Sequence, residues 1–133
     1  MDIRQLLNYN TIHHPFLEWG KINTELDSVY PSFGIRDNDY GFKIKNSARH
    51  YAGGAMGAKY YGETKTRELG QRKENWDKII HKNMPDLEND TKLDFKNNER
   101  GIEYIKQNPK ATRQDIIKQA IQAAIDNYIE DYP

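Results

Sequence analysis

Cysteine is absent from this chain of 133 residues, which removes disulfides, thiolate nucleophiles and cysteine-ligated zinc together and leaves the redox compartment open. An excess of charge is missing too: 20 Lys and Arg stand against 20 Asp and Glu, and the pI is about 6.9. No global field draws the chain to nucleic acid or anionic lipid, so specific nucleic-acid binding is not expected. No apolar run approaches the roughly 20 residues of a membrane span. The opening MDIRQLLNYN lacks the basic, apolar and small-residue regions of a Sec-type signal peptide. A P-loop, a dinucleotide fingerprint, HExxH and a Gly-x-Ser-x-Gly elbow are all missing, so neither a cofactor nor a metal is expected. His13 and His14 are adjacent, would point apart and have no carboxylate at ligand spacing; they read as loop residues.

Apolar residues are also scarce. They make up 36% of the chain against 30% charged, and mean hydropathy is -1.01, so the core must be thin for the length. Nine tyrosines, four phenylalanines and two tryptophans nevertheless argue against disorder and for aromatic packing or a partner. The length suits a single domain, 1–133.

The spacing predicts an all-α fold: a small bundle of about four main helices (46–133) behind an irregular or short-helical, aromatic-rich N-terminal third (1–45). Short helices are expected over 2–9 and over 16–26, with Phe16, Trp19 and Leu26 apolar on the second. DSVYPSFGIRDNDYGF (27–42) reads as turns around Pro31, Gly34 and Gly41. The first main block runs from an Asn46 or Ser47 cap to Tyr61, stopped by Gly62. Thr64 caps a second to about Lys82, with Leu69, Trp76 and Ile80 as its stripe. Asp90 or Thr91 caps a third, ended by Asn108-Pro109. Thr112 with Asp115 forms a capping box for a fourth, whose stripe is Ile116, Ile117, Ala120, Ile121, Ala124, Ile125 and Tyr128.

Polar residues interrupt these stripes. Gly53, Gly54 and Gly57 would each cost about 1 kcal/mol in a helix, which close approach of another backbone can offset, and His50 shares their face. His50 reads as a core histidine bonded to a carbonyl, or as a functional imidazole. Glu74 lies on a line with Gly70, Asp77 and His81. By itself it reads first as part of an exposed acidic face with pairs such as Lys73 with Asp77. Lys65, Arg67, Arg72 and Lys73, balanced by Glu63, Glu68 and Glu74, read as a solvated face rather than a phosphate patch. In DTKLDFKNNERGIEY (90–104), Asn98 falls between Phe95, Ile102 and Ile105, with Asp94 and Gly101 flanking the same side. A buried amide there needs partners, since an unpaired one costs about 1 to 3 kcal/mol. His50 and Glu74 from neighbouring helices are the expected partners, giving a polar cluster that is either a catalytic site or a device fixing helix register.

The order ARHYAGGAMGAKYYG, ELGQRKENWD, DTKLDFKNNERGIEY resembles a small helical domain of bacteriophage and polymorphic-toxin proteins, over residues 46–106. Arg49, His50, Gly62, Gly70, Glu74, Asp94, Asn97, Asn98 and Gly101 match its Arg-His … Glu … Asp-x-x-Asn-Asn-x-x-Gly pattern. The resemblance implies a setting more than a reaction. Toxin-like members often carry a large aromatic after Arg-His, where this chain has Gly53 and Gly54, and toxin domains usually end a long delivery chain, whereas this one begins at Met1. The expectation is therefore a phage virion-associated structural or assembly protein, tail-associated or internal, that binds other virion subunits. It would be located in the virion, or in the host cytoplasm before assembly. The alternative is a metal-independent hydrolase of cell-envelope material, with His50 or Glu74 as general acid/base and Asp94 and Asn98 orienting water or substrate.

Overall fold

In the computed structural model, which describes residues 19–80 and 87–133, all regular secondary structure is helical. Helix α1 continues through residue 29 and passes into a 3-10 turn, Tyr30–Phe33, that closes on Gly34 with φ 72°. Then come α2 (Asp39–Tyr61), α3 (Glu63–Ile80), α4 (Leu87–Gln107), α5 (Arg113–Asp126) and the single turn α6 (Tyr128–Asp131). The helix expected over 2–9, the His13-His14 pair and His81 lie outside the described residues.

Three helix starts differ from the sequence expectation, those of α2 and α3 for a local reason. α2 begins at Asp39, two turns before Asn46, because the Asn38 side chain caps it by accepting the Gly41 N–H at 2.7 Å. Gly41 is no breaker here: a Cβ on it would lie 1.7 Å from the Arg36 carbonyl oxygen, so the glycine lets the preceding loop fold onto the first turn. α3 begins at Glu63 without waiting for a Thr64 cap, and the Gly62 carbonyl accepts both the N–H and the hydroxyl of Thr66. α4 has begun by Leu87, upstream of Asp90. The expected ends hold better. Gly62 closes α2 at φ 89°, α4 stops at Gln107 before Asn108-Pro109, and Thr112 with Asp115 forms the full capping box of α5.

α2 is the central helix and packs on α4, α5 and α3. Its Ile44, Ala48, Ala52, Ala55 and Met56 are fully buried, against Ile116, Ala120 and Ile121 of α5. Each buried isoleucine contributes about 1.5 to 3 kcal/mol, and the alanines let the axes come close. Ile22, Leu26, Tyr30 and Ile35 join the same core, so the described part of the N-terminal third is folded into the bundle. Arg113 of α5 clamps the Glu25 carboxylate of α1. The closest approach is between α2 and α4 and is reciprocal. A Cβ at Gly54 would lie 2.2 Å from the Asn98 carbonyl oxygen, and one at Gly101 would lie 2.0 Å from that of Tyr51. Close backbone approach thus explains Gly54 and Gly101. Gly53 instead faces the Trp19 ring, and Gly57 faces the Thr66 side chain.

Candidate functional site

Backbone crossing at two glycines brings the neighbouring polar side chains of α2 and α4 into contact. Residues 46, 50 and 54 follow one another by single turns on α2, as do 94, 98 and 101 on α4, so the two rows meet along the crossing. His50, 4% exposed, faces two residues of α4: Nδ1 lies 3.3 Å from Asn98 Oδ1, and Nε2 lies 3.2 Å from Asp94 Oδ1. Asn46 Nδ2 donates to the same Asp94 oxygen at 3.2 Å. The Trp19 ring stands edge-on to the imidazole, 5.5 Å between centroids.

α3 supplies the third wall. Glu74 is 1% exposed, not part of an acidic surface, and its charge acts on Asp94. Two adjacent carboxylates away from water cannot both ionise cheaply. Burial, then the charge of Glu74, push the Asp94 carboxyl up to about 7, against the opposing pull of the Asn46 hydrogen bond and the Lys73 ammonium. Glu74 Oε1 is buried with no hydrogen-bond partner, the Lys73 ammonium standing 3.9 Å away. Thr91 Oγ1, one turn before Asp94, is likewise buried without a partner.

The proton inventory follows from the donors. With Asn98 Oδ1 as acceptor, His50 Nδ1 carries its hydrogen. Nε2 then accepts from a protonated Asp94 or, in an imidazolium, donates to an ionised one. Asp94, with its carboxyl pushed up to about 7, is therefore a group able to take up or release a proton at near-neutral pH, which is what general acid–base chemistry requires. Among the described residues no group of three or more His, Asp or Glu is arranged to hold a metal ion.

His50, Glu74, Asp94 and Asn98 are thus brought together. The other residues singled out by sequence are not all in the cluster. Arg49 is half-buried and donates to Asn46 Oδ1 at 3.4 Å, one residue removed from Asp94, while its Nε is buried without a partner. Asn97 is buried on a different side of α4: its amide donates to the Leu93 carbonyl, and its oxygen accepts from Arg100. Arg100 in turn grips the Asp131 carboxylate at 2.7 and 3.1 Å. Gly70 lies beside the Asn98 amide, 3.2 Å from where its Cβ would be.

Sequence reasoning misses Asn46, Trp19 and Tyr132 as members of the site. Asn46 reads as a helix cap, yet its spacing of four from His50 places it on the same face once the helix is extended upstream. Tyr132 reaches Ser47 at 3.5 Å beside the cluster, and burial raises its phenol above the ordinary range. No local pattern announces that contact. Comparison of the chain with protein-family models, curated proteins and solved structures finds no match.

Proposed function

We propose that this chain is a binding protein of a bacteriophage particle, holding other virion subunits, and that His50, Glu74, Asp94 and Asn98 set the register of its helices. One observation carries the reading: in a chain this hydrophilic, three of the large apolar side chains left exposed belong to the start of α2 and to α6, which an aromatic contact joins; Tyr60, Tyr61 and Ile79 are exposed elsewhere. Tyr40 and Phe42 in the first turn of α2 and Ile129 of α6 are 37%, 69% and 83% exposed. Tyr40 meets Tyr128 edge-on at 4.6 Å between centroids, and Tyr128 lies tilted against Tyr132 at 5.5 Å, so the two helix ends form one aromatic-rich surface. Aromatic residues exposed in this way are typical anchors of protein interfaces. The particle itself comes from the resemblance of residues 46–106.

A second reading is favoured by a different observation, the Asp94 carboxyl pushed up to about 7 beside the buried His50 imidazole. It makes the chain a metal-independent hydrolase of envelope material. His50 and Glu74 are buried, so a substrate reaches them only if a helix moves aside.

A photo-crosslinker in place of Phe42 or Ile129, expressed in cells producing the particle, separates the two. The binding reading expects adducts to structural subunits in purified particles, lost in Phe42→Asp, together with no envelope degradation. Absence of the chain from particles, with envelope degradation abolished by Asp94→Asn in a folded protein, replaces it with the hydrolase.

A further inference from the structure

Among the described residues three arginines are half-buried, Arg49, Arg100 and Arg113, and two of them hold a carboxylate with two nitrogens. Arg100 grips Asp131 through Nη1 and Nη2, and Arg113 grips Glu25 through Nε and Nη2. Arg49 is the exception. No ion pair joins it to a carboxylate among the described residues, its Nε is buried without a hydrogen-bond acceptor, and its Nη2 makes a long bond, 3.4 Å, to the Asn46 amide oxygen. Nε and Nη2 form one edge of the guanidinium, the edge that Arg113 turns to Glu25, so Arg49 presents a bidentate donor that is not filled. A guanidinium cannot shed its proton to escape the cost of leaving water, and an unpaired one in a half-buried place calls for an anion.

The facing wall carries a second unfilled group. α1 runs antiparallel to α2: Trp19 stands against Gly53 and His50, and the Tyr30 hydroxyl donates to the Lys45 carbonyl at 3.4 Å. Asn23, one turn after Trp19, therefore faces the turn of α2 before Gly53, where Arg49 lies. Its Oδ1 is also buried without a partner. Asp27, a further turn on, is exposed and makes no ion pair with Arg49. An amide offers an acceptor at one edge and two donors at the other, and a half-turn of its end exchanges them, so Asn23 can serve whatever Arg49 holds.

We propose that Arg49, with Asn23 and Asn46 beside it, is a binding site for an oxyanion, a carboxylate or phosphate group. Asn46 joins this site to the polar cluster, since its Oδ1 accepts from Arg49 and its Nδ2 donates to Asp94. An anion at Arg49 is thereby one amide away from the His50–Asp94 pair. The site rests on the α1–α2 seam and not on the aromatic end, so its failure leaves the subunit-binding reading untouched.

The Nε–H resonance of Arg49, assigned through the bonds of its own side chain, reads the site directly. Titration of the whole chain with inorganic phosphate or with acetate, at near-neutral pH and at an ionic strength held constant with chloride, should move that resonance along a saturating curve, half-filled below about 10 mM. The anion that binds more tightly names the group the site takes. Arg49→Lys keeps the charge but loses the planar edge, and should weaken binding by about tenfold or more, followed on the Asn23 side-chain amide, because one hydrogen bond to a charged group corresponds to at least that factor. Arg72→Gln, at an exposed arginine, should leave binding unchanged. The wild-type titration stands whether or not the lysine variant folds. An Nε–H that neither anion moves, or that moves without saturating, overturns the site and leaves Arg49 bonded to water alone. Equal weakening by Arg72→Gln overturns it as well, as a general effect of surface charge.

Discussion

Substitution of Gly101 by alanine tests the packing on which the polar cluster depends. The new methyl group would sit 2.0 Å from the Tyr51 carbonyl oxygen and 2.8 Å from the Ala55 nitrogen, where ordinary contact begins at 3.4 Å. Both neighbours are backbone atoms of α2, so no side chain can rotate away and the helices must part. A radial gap of about 1 Å forfeits a quarter to a half of the dispersion contact along the seam, and overpacking of this kind costs about 1 to 3 kcal/mol, sometimes more. Alanine's better helix propensity returns about 1 kcal/mol. Because the clash is with backbone at 2.0 Å, the upper end of that range applies, and the net loss is on the order of 2 kcal/mol, or about 7 °C in Tm for a chain of this length. Urea and thermal melts followed by circular dichroism measure it. Gly20→Ala, whose Cβ meets nothing within 4 Å, serves as the control and should melt no lower than wild type. Gly54→Ala should cost a similar amount, and the double variant less than the two together, because helices already parted by one methyl accommodate the other. A Gly101→Ala chain as stable as wild type would refute the backbone contact between α2 and α4.

Other substitutions probe separate parts of the molecule. Thr112→Ala removes the capping-box oxygen that accepts the Asp115 N–H and should cost about 1 kcal/mol in a urea melt. Burial alone would raise the Asp131 carboxyl, but its bonds to Arg100 and Lys96 hold it below the usual range. The stability it contributes is present above the ordinary carboxylate pKa and lost as pH falls through the folded value; acid titration of Asp131→Asn should lack that part of the loss. Phe42→Asp and Ile129→Asp should leave Tm nearly unchanged, since surface changes fall within about 0.5 kcal/mol, while weakening whatever binding the aromatic end performs.

How much of this is legible in the sequence depends on whether the cause is local. The capping box, the stop at Asn108-Pro109 and the isoleucine stripe of α5 are set within a turn or two, and each is where the pattern puts it. Asp39 as the start of α2 is hidden because Gly41 looks like a breaker until the Arg36 carbonyl is seen against it. Glu74 is the harder case. On a helix of Lys, Arg and Glu, its surroundings along the chain are those of a solvated residue. Its burial is decided by Asp94, on a different helix, and by the glycines that bring α2 and α4 together. Adjacent amides pose a similar difficulty: Asn97 and Asn98 are separated by about 100° around the helix. One serves Arg100 and the other His50, a division that only the packing of both sides of α4 makes.

The same logic accounts for a polar interior in a chain that has few apolar residues to place there. α2, α4 and α5 can be held by isoleucine and alanine because glycine and alanine bring their axes close. Among the described side chains of α3, Arg67 ties the helix to Glu99 of α4 by two hydrogen bonds, and Glu74 is the buried one. A carboxyl group in such a place is directional, since it bonds its partner in few geometries whereas a leucine slides. Replacing Glu74 with leucine tests what its charge contributes. Burial raises the Asp94 carboxyl first and the Glu74 charge second, so in the variant Asp94 should titrate below its wild-type value yet above the ordinary carboxylate range, as read by NMR titration of its carboxyl carbon. An Asp94 that titrates in Glu74→Leu as it does in wild type would mean that the Glu74 charge does not reach it.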